Sequence, residues 1–287
     1  MDVEKLIFES YNKVIEESYN ELFENIKPED ILKLKEGDMS PSLEIGIRKW
    51  ECTSQDFLGK ISPKSYFDKI NDVQSLMRLF KIGSKICDSD IPELLLSKLE
   101  SYKEDTIDEF IKLATKASLI NDDEEMFIPL MSIKILGKWK ETGVIGVLID
   151  QLYAIDETRE IFIEEIIDAL VNIGEPCVDH IVKKLNCNNI DNIEEYLLYS
   201  LVRIATKTDD KVQYDEIYSC IKSTFLKMDN KIIGAMCLGD LGDGRAIPFL
   251  RGYVEKNLKS IDYETFCEIK AAIHKLGGNM DDINFDT

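Results

Sequence analysis

The chain has 287 residues, 44% hydrophobic and 31% charged, with 55 Asp and Glu against 35 Lys and Arg for a formal charge of -20. This composition excludes wholesale disorder. The charge disfavours nucleic acid and anionic membranes as partners, since their phosphates repel such a surface. Acidity is spread along the chain, 24 acidic to 17 basic residues over 1–120 and 31 to 18 over 121–287, so its field would steer a basic protein or peptide inward.

The first residues, MDVEKLIFESYNKV, carry acid where a secretory leader carries positive charge. No apolar run approaches the roughly 18 residues that cross a bilayer. The expected localisation is therefore cytoplasmic, with no membrane partner. Val3, Ile7, Tyr11, Val14, Ser18, Leu22 and Ile26 form a stripe at helical spacing, which predicts one long amphipathic helix ended by Pro28. Residues 28–70 are less regular. Ser40-Pro41 and Ser62-Pro63 each set a capping oxygen ahead of a proline suited to a first helical turn, and short helices are expected to begin near 41, 54 and 63. From Asp72 the pattern steadies, and Asp90 with Glu93 predicts a capping box that opens IPELLLSKL. The acidic run Asp122-Asp123-Glu124-Glu125 reads as a helix start, and the tail DDINFDT as frayed.

An internal repeat then emerges. IKILG, DALVNIG, LGDLG and IHKLG end apolar helices at Gly137, Gly174, Gly242 and Gly277, and in YSLVRIA Ala205 takes the glycine's place. Successive marks are 37, 31, 37 and 35 residues apart, the length of a helical hairpin with its connections. Each mark but the last is followed by a second helix: VIGVLIDQL, PCVDHIVKKL, YDEIYSCIKSTF and RAIPFLRGYV. Ile82-Gly83 and the helix after it form a candidate earlier unit.

The segment LGDLGDGRAIPFL spaces its glycines as GxxGxG, the reverse of the dinucleotide fingerprint, after a helix where that fingerprint needs a strand. It reads as a corner instead: Gly242 at positive φ, Asp243 capping the next helix, Ile247 and Leu250 pointing inward. These paired helices and this corner resemble HEAT-like repeats of the kind found in phycobilisome lyases and bacterial scaffold proteins, over about residues 121–278. The resemblance implies an all-α fold, an α-solenoid of helical hairpins with an N-terminal helical region that caps it. The implied division is 1–71 as that N-terminal region, 72–120 as transitional helices with one degenerate repeat, and 121–287 as the array.

No set of residues converges on a reaction. Glu164, Glu165 and Asp168 share a helix face without the ExxH partner of di-metal bundles, and His180 beside Asp179 lacks a nucleophile motif. The seven cysteines include no CxxC pair and the chain has two histidines, so the thiols read as free, small apolar residues and no metal or cofactor is expected. Trp139, after the first corner, is expected to cover helix ends. In HEAT-like arrays the second helices line the concave face. Aligning them on Leu148, Ile181, Cys220 and Leu250 gathers Asp150, Gln151, Lys183, Lys184, Lys222 and Tyr253, with Arg251 beside them, into a basic and aromatic ridge. The expected function is a scaffold, not an enzyme, that binds a protein or peptide there. The alternatives are an enzyme on the same scaffold, tetrapyrrole lyase-like or DNA glycosylase-like, and an acidic immunity or antitoxin-like inhibitor of a basic protein. The glycosylase alternative lacks the cationic groove that DNA requires.

Overall fold

The structure is a computed structural model, and it describes residues 2–24, 40–120, 125–187 and 190–285, without the side chains of residues 22, 23, 40 and 187. Pro28 and Asp122 to Glu124 lie outside the described residues, as do the Leu22 side chain, the cap of Ser40 and the thiol of Cys187. The described residues are all helical apart from turns and one isolated bridge between Gln55 and Ile61. No described helix is long and apolar enough to cross a membrane. The chain divides into two compact units, Met1–Ile135 and Leu136–Thr287.

In the first unit α1 (Val3–Glu24) packs on α2 (Ser40–Cys52) and α4 (Val73–Ile86), and α3 (Pro63–Asp68) lies between α2 and α5 (Glu93–Glu100). The stripe on α1 buries Ile7, Tyr11 and Ser18, and Phe8 beside it is fully buried against Gly83. Tyr11 and Trp50 bring their rings to 5.1 Å, and the Trp50 indole N–H donates to Ser10 at 3.0 Å. Asn12 donates to the Ile86 carbonyl at 2.7 Å, satisfying an otherwise orphaned acceptor at the end of α4. Ser62 accepts from the Ser65 N–H with Pro63 in the first turn, as expected, and Asp72 does the same for α4. The segment near 54 forms only a single 3-10 turn, Asp56–Leu58.

Two local expectations fail for identifiable reasons. Asp90 caps nothing; α5 starts behind Pro92, because a residue preceding proline avoids the helical region, and the freed Asp90 carboxylate pairs with Lys134. Gly83 is not a corner. It lies inside α4, where an added Cβ would come within 2.8 Å of the Phe8 ring.

α6 (Lys103–Ala114) closes the first unit's core through Phe110, whose ring meets Phe80 at 4.9 Å, and the division between units falls inside α7 (Phe127–Lys138). In the second unit the helices follow as α8 (Ile145–Ala154), α9 (Glu160–Ile173), α10 (Val178–Cys187), α11 (Asn192–Ala205), α12 (Lys211–Lys227), α13 (Lys231–Leu241), α14 (Ala246–Asn257) and α15 (Tyr263–Lys275). The odd-numbered helices from α9 to α15 pack in succession, each on the next, and form one row of first helices. Second helices α10 and α12 pack together, and each second helix also packs on a first helix beside it in sequence. Every second helix anticipated from the sequence is present.

The corners share a place but not a geometry. Gly242 adopts the left-handed region at φ 76°, Gly174 pairs φ 83° with ψ -134°, and Gly277 has φ 83°. α11 ends through Thr206 in the helical region without any positive φ. At the first corner the positive φ belongs to Lys140, not to Gly137. Gly137 stays helical because its Cα face meets α9, where a Cβ would lie 2.6 Å from the Ala169 Cα. Trp139 is buried, as expected of a corner cover. The tail is not frayed over its described part. Asp281 pairs with Lys270 at 2.8 Å, Asp282 with Arg251 at 2.7 Å, and Phe285 packs on Phe266 at 5.3 Å.

Two glycines test this packing. Gly137→Ala is expected to destabilise the protein by about 1–3 kcal/mol through overpacking, although alanine is the better helix former. Gly252→Ala, inside α14 with open space around it, is expected to stabilise by roughly 0.5–1 kcal/mol. Urea denaturation of the two variants checks the opposite signs.

Candidate interaction surfaces

The glycine-rich corner is built around Arg245. Its guanidinium lies 2.6 Å from Asp243 and 2.7 Å from Asp215 on α12, and 4.3 Å from the centre of the Tyr218 ring. Asp243 accepts from the Arg245 N–H at 2.9 Å, one residue ahead of α14, so it organises the turn without capping the helix as expected. The Tyr214 hydroxyl donates to the Leu241 carbonyl at 3.1 Å, a second tie from α12 to the corner. With two carboxylates on its one cation the corner repels a phosphate. The Arg245 hydrogen bonds hold the Asp243 carboxyl below the ordinary aspartate value.

The second-helix ridge is only partly a free surface. Leu148, Ile181, Cys220 and Leu250 are all buried, as the alignment required, so the residues beside them do point outward. The structure brings Asp150 and Lys184 together at 3.5 Å, and Lys184 also stands 5.1 Å from the centre of the Tyr153 ring. Lys222 lies over Phe249 at 5.0 Å. Tyr253 packs edge-on against the buried Phe225 at 4.9 Å, and Arg251 forks onto Asp282. Lys183 is exposed and Gln151 half-buried. Asp150, Lys184 and Tyr153 thus form one cluster on α8 and α10, and Lys222 and Tyr253 belong to another on α12 and α14.

Of the residues considered for chemistry, two make structural contacts and one faces solvent. Asp168 pairs with Arg203 at 2.6 Å while Glu164 faces solvent, and His180 turns its Nδ1 toward the Pro176 carbonyl at 3.3 Å. His274 is 3.8 Å from Asp281. Cys177, Cys220 and Cys237 are buried, and burial pushes the Cys177 and Cys237 thiols up to about 12, which suppresses the thiolate that a nucleophile needs. Cys52 alone is exposed among the described thiols. Among the described residues no group of histidine, cysteine and carboxylate could hold a metal ion.

Sequence reasoning missed a groove on the first-helix row. Between α11 and α13 a cleft of about 280 Å³ is lined by Glu195, Tyr196, Tyr199, Ile233, Met236 and Asp240. Tyr199 and Met236 are each 45% exposed, enough to offer an apolar side chain a contact. The available signal was α11 itself, which carries aromatic residues outside its buried face. A larger cleft of about 850 Å³ in the first unit runs along α4, but its Arg78, Lys81 and Lys85 already meet Glu4, Glu109 and Glu125.

Comparison with known proteins finds no matching family model, and no curated protein or solved structure matches the chain.

The corner supplies a prediction with a defined sign. Because Asp243 titrates lower in the folded chain, its stabilisation is present above the unfolded value of 3.8 and is lost as pH falls through the folded one. Asp243→Asn is expected to melt earlier than the wild type near about pH 7, with the gap narrowing as pH falls below 3.8. Thermal melts across that range check it.

Proposed function

We propose that the second unit is a solenoid of HEAT-like hairpins and that the protein is a binding scaffold whose partner is another protein. One observation supports the reading above the rest. Helices that follow near-constant sequence steps pack in like positions, so the row of first helices repeats a surface at regular intervals, as a recognition array does. The buried, raised thiols and the Asp168–Arg203 pair are structural in character, which supports recognition over catalysis.

The proposed contact residues on the second-helix row are Asp150, Gln151, Lys183, Lys184, Lys222, Arg251 and Tyr253. Their internal pairings are mostly exposed and therefore weak, so a partner can exchange for them at small cost. Lys183 and Lys184 are the accessible anchors. Tyr253 is a poor target for substitution because it supports Phe225.

Affinity capture from native lysate, read by mass spectrometry, tests the reading. The wild type is expected to retain a specific protein that Lys183→Glu with Lys184→Glu releases by about tenfold or more. Equal retention by the double variant would remove this face and keep the scaffold. Turnover of a bilin, or excision from an alkylated duplex at low salt, by the purified protein would replace the scaffold with an enzyme.

A further inference from the structure

We infer that the groove between α11 and α13 is a docking site for a basic peptide segment that inserts one apolar side chain between Tyr199 and Met236. The inference rests on the scaffold reading but places a contact on the opposite row of helices from the one the sequence suggested.

The repeat itself isolates the groove. Six residues before Gly174, Ala205, Gly242 and Gly277 stand Asp168, Tyr199, Met236 and Ala271, and three residues further back stand Glu165, Tyr196, Ile233 and Glu268. Equivalent positions on neighbouring first helices therefore run from acidic, through two apolar rungs, to small and acidic. Of these four rungs the two central ones line an aromatic and thioether cleft, with side chains of the kind that often anchor partners. Carboxylates bound it.

The electrostatics select the occupant. Arg203 and Lys275 are committed to Asp168 at 2.6 Å and Asp240 at 2.5 Å. Arg203 also lies 5.9 Å from the Tyr199 ring centre, so that ring already accepts a guanidinium on one side. Glu195 is half-buried on the wall of the groove, and no cation among the described residues pairs with it; burial and the nearby Asp191 both push its carboxyl pKa up. A lysine or arginine next to the inserted apolar residue would supply the missing countercharge. A second copy of this chain fits poorly, since each copy carries a charge of -20 and the facing rims would both be acidic. The cleft has room for one or two side chains, as an anchor requires, but little for a broad flat contact.

Selection of a displayed random peptide library on the full-length protein tests this directly. Enriched sequences are expected to carry net positive charge around an apolar residue, and to bind the wild type about tenfold or more tighter than Met236→Lys. Glu195→Gln is expected to weaken the same peptides and flatten their salt dependence. Both positions are at least partly exposed, and circular dichroism confirms that the variants fold. Enriched peptides that are neutral or acidic, or that bind Met236→Lys as well as wild type, would overturn the proposal, as would a failure to enrich any sequence. Peptides that lose affinity with Lys183→Glu and Lys184→Glu but not with Met236→Lys would sink the groove and leave the scaffold standing. Self-association abolished by Met236→Lys would assign the groove to a second copy and overturn the basic-segment occupant.

Discussion

The second unit depends on how closely its first helices approach one another. Five residues before each corner stand Ala169, Ser200, Cys237 and Ala272, all buried and none larger than a thiol. Gly137 meets Ala169, and an added Cβ on Gly239 would come within 3.2 Å of the Ala272 Cα. At these crossings backbone nearly touches backbone, so the larger apolar residues on either side can interdigitate without a void. Where a polar residue occupies the row it spends its hydrogen bond locally: Ser200 donates to Leu197 at 2.7 Å and presents only its bulk to the neighbour. The same crowding desolvates Cys237 and raises its thiol, so the inertness of that cysteine follows from the stacking geometry.

Close approach also explains why the corners tolerate such varied chemistry. Once the small-residue row fixes the distance between helices, the connection has only to turn the chain and begin the next helix. Gly242 does so in the left-handed region, Thr206 does so without leaving the helical region, and Lys140 absorbs a positive φ one turn's width beyond Gly137. An aliphatic residue followed by glycine was therefore a sound sequence mark for the corners and a poor guide to their dihedrals. At Gly137 the glycine serves by its lack of a side chain, and at Gly242 by its freedom of φ. A single letter carried two physical causes.

Legibility from sequence follows the same division. Helices set by local periodicity, from α8 to α15, could be read directly, and so could the inward-facing residues Leu148, Ile181, Cys220 and Leu250. What could not be read is which outward-facing side chains are already committed, because their partners come from other parts of the chain: Lys184 meets Asp150, Lys222 meets Phe249, and Arg251 meets Asp282. The Tyr196 and Tyr199 surface was hidden for a related reason. α11 also buries Ile193, Leu197, Leu198 and Leu201, so its aromatic residues look like further core until the packing shows which face is covered. Asp90 was misread because proline's effect on its predecessor outweighs a capping pattern that was present in the letters.

Four cations of the second unit tie its helices to one another. Arg203 reaches α9, Lys275 reaches α13, Arg245 reaches α12, and Lys184 reaches α8. Each exposed tie contributes little stability alone. The negative excess is set by composition: with 35 cations against 55 carboxylates, even complete pairing would leave carboxylates over. Charge of that kind would attract any basic partner without discriminating among them. On the proposed reading, discrimination comes from interruptions in the acid, where apolar contact fixes one register, and along the first-helix row Tyr199 and Met236 make that interruption.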